Sequence, residues 1–209
     1  MTIRRLELLR RSGRAFLADA SALASIELAL VLPFAAMLMS LIVFGGQAYW
    51  VQRKVTLAAS TVANIFAQAN NTNTSTITAS ELTQILAYPN LILYPYNASG
   101  VAVEVSQLLV TSNANGTATG TVCGSWANAN GTPRTTGQQL SVDPSIVSAF
   151  SGSSGNNSPS CGVGNANYVV LGEVQYPFQP TGIYFSVGTM TLHDSIIMIP
   201  RVASPITVQ

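Results

Sequence analysis

Apolar side chains run without a charge from Leu28 to Ala48, LALVLPFAAMLMSLIVFGGQA, and then thin into a stripe. Between Gln47 and Gln68 they recur at Val51, Val55, Ala58, Ala59, Val62, Ile65 and Phe66. The first pattern is apolar on every side, and about 20 such residues at ~1.5 Å rise cover the ~30 Å core of a bilayer. The second has the three-and-four spacing of a single helical face. Together they predict one helix over 23–69 that spans a membrane and then extends beyond it as an amphipathic stem. Tyr49 and Trp50 fall where interfacial aromatics belong, and Arg53 and Lys54 can reach water just beyond them. Pro33 removes one helical hydrogen bond, a loss tolerated in lipid when neighbours re-satisfy the backbone. The asparagine-rich NNTNTST from Asn70 ends the pattern.

Residues 70–209 read as a small α+β domain. Ser80 before ELTQILAY predicts a capped short helix with an acid in its first turn. GVAVEVSQLLV alternates at Val101, Val103 and Val105, as a half-buried strand does. The stretch from Thr111 to about Gly164 is dominated by Asn, Gly, Ser and Thr, and predicts surface loops interrupted by a short helix at DPSIVSAF. YVVLGEVQYPF and IYFSVGTMTLHDSIIMI, rich in β-branched and aromatic residues, predict two strands with a turn at Gln179, Pro180, Thr181 and Gly182. The expected architecture is an antiparallel sheet with a loop-rich insertion, packed on the amphipathic half of the stem.

Composition sharpens the membrane reading: of 209 residues 48% are hydrophobic and only 8% charged, against about 25% charged in soluble domains. A net charge of +1 conceals an asymmetry. Arg4, Arg5, Arg10, Arg11 and Arg14 precede the apolar run, whereas beyond Lys54 the bases are Arg134 and Arg201 against five carboxylates. Positive flanks stay cytoplasmic, so residues 1–22 are expected inside and the domain outside, with Arg53 and Lys54 as a weaker opposing bias. The domain offers no basic stripe for phosphates, which argues against nucleic-acid binding. A secretory signal peptide is an alternative, but the run exceeds the usual ~7–15-residue apolar region and no clear A-x-A site closes it before Arg53. An uncleaved anchor that simply tethers a domain is a second alternative.

Glu27 is the one carboxylate at the mouth of the run. An ionised group in that zone costs at least about 2.5 kcal/mol, so it needs a positive partner, a proton or the interface; the helix macrodipole also favours an acid at a helix entrance. Gly45 and Gly46 lack the G-x-x-x-G spacing of close helix pairs. Cys123 and Cys161, the two cysteines, both lie in the expected external part and are expected to form a disulfide that closes a loop of about 40 residues. No metal site is expected, since structural zinc wants four ligands and the chain has one histidine. His193 lies in an expected strand, no G-x-S-x-G motif is present, and neither a P-loop nor a dinucleotide fingerprint occurs. The carboxylates Glu81, Glu104, Asp143, Glu173 and Asp194 are widely spaced. Neither an enzyme nor a cofactor is expected. N-x-S/T sequons such as Asn97–Ser99 and Asn115–Thr117 follow from composition alone.

The segment SALASIELALVLPFAAMLMSLIVFGGQ resembles the start of TadE-like proteins, the minor pilins or pseudopilins of tight-adherence (Tad, or Flp) type IV pili. In that family a basic leader precedes a small residue, a short spacer, a Glu, an aliphatic run and often Leu-Pro; here Ala22, Glu27, Leu30, Val31, Leu32 and Pro33 take those places. SIIMIPR is similar to the family's close. Ala22 stands where Gly is commoner, and Leu28 where Phe or Tyr often follows Glu. The resemblance implies cleavage by a prepilin peptidase between Ala22 and Leu23, on the cytoplasmic face of a bacterial inner membrane. The new amine at Leu23 would lie one helical turn from Glu27, on the same face, able to neutralise it in this or a neighbouring subunit. The implied partners are the membrane, other pilin subunits and the Tad inner-membrane platform. The implied work is priming, capping or anchoring a pilus used in adhesion. The alternative from another class is a permanently anchored adhesin or ligand-binding domain.

Overall fold

The computed structural model describes residues 20–68, 76–112, 117–149, 161–162, 167–180, 188–200 and 205–209. The leader arginines, the linker from Asn70, Asn115, Thr181, Gly182 and Arg201 lie outside the described residues. The chain divides into two compact units between Gln47 and Ala48.

One helix, α1 (Ala20–Ala67), bridges that division and runs unbroken through Pro33. From Ala24 to Val43 its side chains are mostly apolar and nearly all exposed, including Leu28, Val31, Phe34, Leu38 and Leu41. Ser40 returns its hydroxyl to the Ala36 carbonyl at 2.8 Å, so this polar group is satisfied within the helix. The helix is long and apolar enough to cross a membrane, and its most apolar window is unburied.

From Ala48 the helix changes character. Val51, Val55, Ala58, Ala59, Val62, Ala63 and Phe66 are all buried, which is the face marked by the three-and-four spacing. They pack on a five-stranded antiparallel sheet built from β2 (Ala102–Ser112), β3 (Ala118–Ala127), β4 (Gln139–Val142), β5 (Tyr168–Phe178) and β6 (Met190–Met198), in the order β4-β3-β2-β5-β6. Val103 and Val105 of β2 and Val170 and Val174 of β5 share this core with the helix. Helix and sheet meet closely at Gly172: a Cβ there would lie 2.8 Å from the Ala63 Cβ and 3.0 Å from the Ala59 carbonyl. Phe66 stacks against Trp126 of β3 with ring centroids 5.4 Å apart.

The opposite face of the sheet carries a smaller apolar cluster of Leu108, Val110, Val122, Val142, Val169 and Leu171, joined by Ile146 of the short helix α3 (Pro144–Ala149). Before the sheet come β1 (Thr76–Ile77) and α2 (Ala79–Ile92), which buries Leu82, Ile85, Leu86 and Pro89. β1 pairs in parallel with β7 (Thr207–Val208), and Gln209 accepts a hydrogen bond from the Ala79 amide at 2.8 Å. The α+β class and the long helix thus match expectation.

Two local expectations are corrected. The N-cap of α2 is Thr78, not Ser80: Thr78 is extended, its hydroxyl accepts from the Glu81 amide, and the Glu81 carboxylate accepts from the Thr78 amide. This T-x-x-E capping box satisfies two otherwise orphaned donors. The region expected as loops contains β3 and β4. ATGTVCGSWA of β3 looks loop-like because it is rich in Gly, Thr and Ser, yet its burial alternates over its first half. Its glycines make room for bulky neighbours: a Cβ at Gly120 would lie 2.8 Å from a Val142 methyl, and one at Gly124 would lie 2.6 Å from the Trp126 ring.

Candidate functional site

Two places in the chain concentrate chemistry. The first is the start of α1. The backbone of Ala22 and Leu23 is helical, and Glu27 follows on the same helix with an exposed side chain among exposed Ile26, Leu28 and Leu30. Positions 23 and 27 are four residues apart and therefore lie on one face.

The second place is polar and lies within the domain. Alternation along β2 points Val103 and Val105 at α1, so Glu104 and Ser106 emerge on the opposite face. The same alternation along β5 puts Glu173 there, and the register sets Glu104 directly opposite Glu173. Like charges facing each other across strands repel. Arg134, delivered by the loop between β3 and β4, resolves the conflict. Its guanidinium forks onto Glu173, with Nε to Oε2 at 2.9 Å and Nη2 to Oε1 at 2.8 Å, and its Nε lies 3.4 Å from Glu104 Oε1. Its backbone amide donates to Glu104 Oε1 at 3.1 Å and to Ser125 Oγ at 2.9 Å. Ser125 in turn donates to Glu104 at 2.9 Å, and its cross-strand partner Ser106 reaches it at 2.9 Å.

The loop that carries Arg134 is itself stitched down. Asn128 Oδ1 accepts from the amides of Val103, Asn130 and Gly131, and its Nδ2 donates to the Val101 carbonyl at 2.7 Å. Asn130 Nδ2 donates to the Ser99 carbonyl at 2.8 Å. Gly131 passes close enough that a Cβ would sit 2.9 Å from the Val103 carbonyl oxygen. Beside the ion cluster lies a cleft of about 140 Å³, bordered by Glu104, Asn130, Thr132, Glu173 and Gln175. That is well below the 300–1,000 Å³ of small-molecule pockets.

His193 of β6 approaches this cluster, its Nε2 3.6 Å from Glu173 Oε1. Ser106 is fully buried, and both Glu173 oxygens already accept from Arg134. The arrangement is that of an ionic clamp that pins a loop across a sheet face. Among the described residues no group of three or more His, Cys, Asp or Glu side chains is placed to hold a metal.

Cys123 and Cys161 are joined by a disulfide, with Cα atoms 5.4 Å apart and a sequence separation of 38 residues. Tyr168 Oη beside it accepts from the Gly162 amide at 3.0 Å. Lys54, expected to extend to water, instead donates to the carbonyls of Ile92 and Tyr94 and sits 5.5 Å from the Tyr96 ring centre. The Glu104–Arg134–Glu173 clamp is what sequence reasoning missed. Its signal was scarcity: Glu104 and Glu173 are each a lone charge within an apolar strand, and Arg134 is one of two bases beyond Lys54. No protein-family model, curated protein or solved structure matches the chain.

Proposed function

We propose that this is a single-pass protein of the bacterial inner membrane, a TadE-like minor pseudopilin that takes part in assembling a Tad-type pilus. Its leader lies in the cytoplasm and its α+β domain outside. One observation carries the reading: a single helix, Ala20–Ala67, is mostly apolar and exposed from Ala24 to Val43 and supplies the buried stripe of a folded domain from Val51 on. A helix of that kind ties a folded domain to lipid. Glu27 adds a charge that an isolated lipid-facing helix would exclude, and which a free amine at position 23 neutralises once stems pack together. The domain works on this reading by packing and display, not by catalysis. The ionic clamp and the disulfide stiffen it.

The test is the intact mass and N-terminal sequence of the membrane-extracted protein, made with and without the cognate prepilin peptidase. A start at Leu23 only when the peptidase is present supports the proposal. An uncut Met1 form in both hosts overturns it in favour of a permanent anchor with a ligand-binding domain. The small cleft beside Glu104 and Glu173 would then be the first place to look for the ligand. Independently, Glu27→Ala is expected to abolish piliation while leaving the domain folded.

A further inference from the structure

The geometry points to a second contact between the domain and the bilayer, made by the last residues of α2 and the turn that follows it, with lipid headgroups and the upper acyl chains as its partner. This inference rests on the membrane reading of α1. Leu91 is 73% exposed and Tyr94 76% exposed, in a domain whose other large apolar side chains are mostly buried. Single exposed apolar residues are ordinary. These two are different because of where the fold holds them. Lys54 donates to the carbonyls of both Ile92 and Tyr94, and its ammonium lies 5.5 Å from the Tyr96 ring centre. The turn is therefore fastened to the helix by one side chain.

The level of that fastening follows from helix geometry. Side chains of an α-helix lean toward its N-terminus, so the surface a residue covers lies over the preceding turn. Lys54 is four residues, about one turn, after Trp50 on the same helical side, so the carbonyls it holds lie near that residue's level. Trp50 is 62% exposed and Tyr49 60% exposed, and the uncharged apolar run ends at Ala48. Tyr and Trp at such an end mark the interface between lipid and water. The turn 91–96 is thus tied to the helix by Lys54, one helical turn beyond Trp50, which brings exposed Leu91 and Tyr94 close to the level of the aromatic belt. Arg53, packed over the Tyr49 ring at 5.9 Å, adds a cation suited to headgroup phosphates. An apolar side chain and a tyrosine flanked by bases are what an interfacial contact requires. The contact gives the domain two footholds on the membrane.

The experiment uses the full chain in lipid nanodiscs, with its disulfide kept oxidised and a nitroxide on single added cysteines: Leu91→Cys, Tyr94→Cys, Leu38→Cys within the apolar run and Thr136→Cys at an exposed position of the loop between β3 and β4. The reading is the accessibility of each label to oxygen, which concentrates in lipid, relative to a water-soluble nickel complex. The expected result is an oxygen preference at 91 and 94 approaching that at 38 and clearly above that at 136. Adding Lys54→Met should lower the preference at 94 and leave 38 unchanged. Labels at 91 and 94 that match 136 while 38 stays in lipid overturn the inference and spare the membrane reading. A label at 38 that also favours nickel sinks the membrane reading itself. Labels at 91 and 94 shielded from both reagents assign the surface to a neighbouring protein and overturn the lipid assignment.

Discussion

Replacing Arg134 with Met keeps the aliphatic stem and removes the charge, leaving Glu104 and Glu173 facing each other across β2 and β5. The cost can be bounded from the geometry. An exposed ion pair contributes about 0–1 kcal/mol, whereas removing one partner of a buried pair costs about 3–5 kcal/mol because the other charge stays buried. Here the side chains are 24%, 15% and 10% exposed for Arg134, Glu104 and Glu173, so water reaches the cluster in part. An intermediate loss of about 2–3 kcal/mol is expected. At about 2–4 °C per kcal/mol for a domain of this size, Arg134→Met should melt roughly 5–10 °C lower by circular dichroism. The backbone amide of Arg134 keeps its bonds to Glu104 and Ser125 in this variant, so the loss reports on the guanidinium alone. Adding Glu173→Gln to Arg134→Met removes the stranded charge, and the double variant should recover more than half the loss. A cycle of the two substitutions should show a coupling above about 0.5 kcal/mol. If Arg134→Met melts within a degree or two of the parent, the cluster is an ordinary surface ion pair and the clamp argument fails.

Gly172→Ala should destabilise the domain by about 1–3 kcal/mol, the cost of overpacking, because its Cβ would press on Ala63 and the Ala59 carbonyl; urea melts would report it, and an unchanged midpoint would mean that helix and sheet part easily. Thr78→Ala removes the N-cap of α2 and should cost about 1 kcal/mol, read as a lower melting temperature. Hydrogen bonds from Thr78 hold the Glu81 carboxyl below its usual range, and those from Ser145 do the same for Asp143. Both folded-state values lie below the unfolded ones, so their stabilisation is complete above the ordinary carboxylate range, about pH 4, and is lost as pH falls through the folded values; a domain equally stable at pH 7 and pH 3 would contradict this. Gln107 is 2% exposed and its Nε2 has no hydrogen-bond partner among the described residues. Gln107→Leu should therefore raise stability by about 1 kcal/mol, since an unmet buried donor is costly, and a loss of that size would show the amide to be satisfied.

The parts of the fold that were legible in sequence are those in which one period dominates. Val51 to Phe66 repeat at helical spacing and all those on the stripe except Ile65 are buried; Val101, Val103 and Val105 alternate and face the helix. Strand β3 was illegible because its stability comes from neighbours: Gly120 and Gly124 are read as turn residues, but each sits where a larger one would collide with Val142 or Trp126. The T-x-x-E spacing of Thr78 and Glu81 is legible in the sequence, and Ser80 lies inside the first turn of α2. The clamp was hidden for a different reason. Glu104 and Glu173 are 69 residues apart in sequence, and only strand register brings them together. The pairing of Cys123 with Cys161 was legible because no other cysteine competes.

Charge is so sparse beyond Lys54 that each carboxylate can be followed to its task. Glu81 closes the cap of α2. Glu104 and Glu173 share Arg134. Asp143 accepts from the Ser145 amide at the start of α3, and Asp194 holds the Thr56 hydroxyl, tying β6 to α1. With these five committed, the exposed loops are left to Asn, Ser, Thr and Gly, which carry no field beyond contact range. A surface of that kind gives little long-range steering to a charged ligand, and what it offers instead is many short-range donors and acceptors. Under the function proposed above, that suits a domain which membrane anchoring would bring to its neighbours, leaving only the fit of the surfaces to be decided. It also explains why Glu27 stands out: every carboxylate in the domain has a partner within it, whereas the one at the head of the apolar run is exposed on the helix, and the proposed assembly gives it an amine.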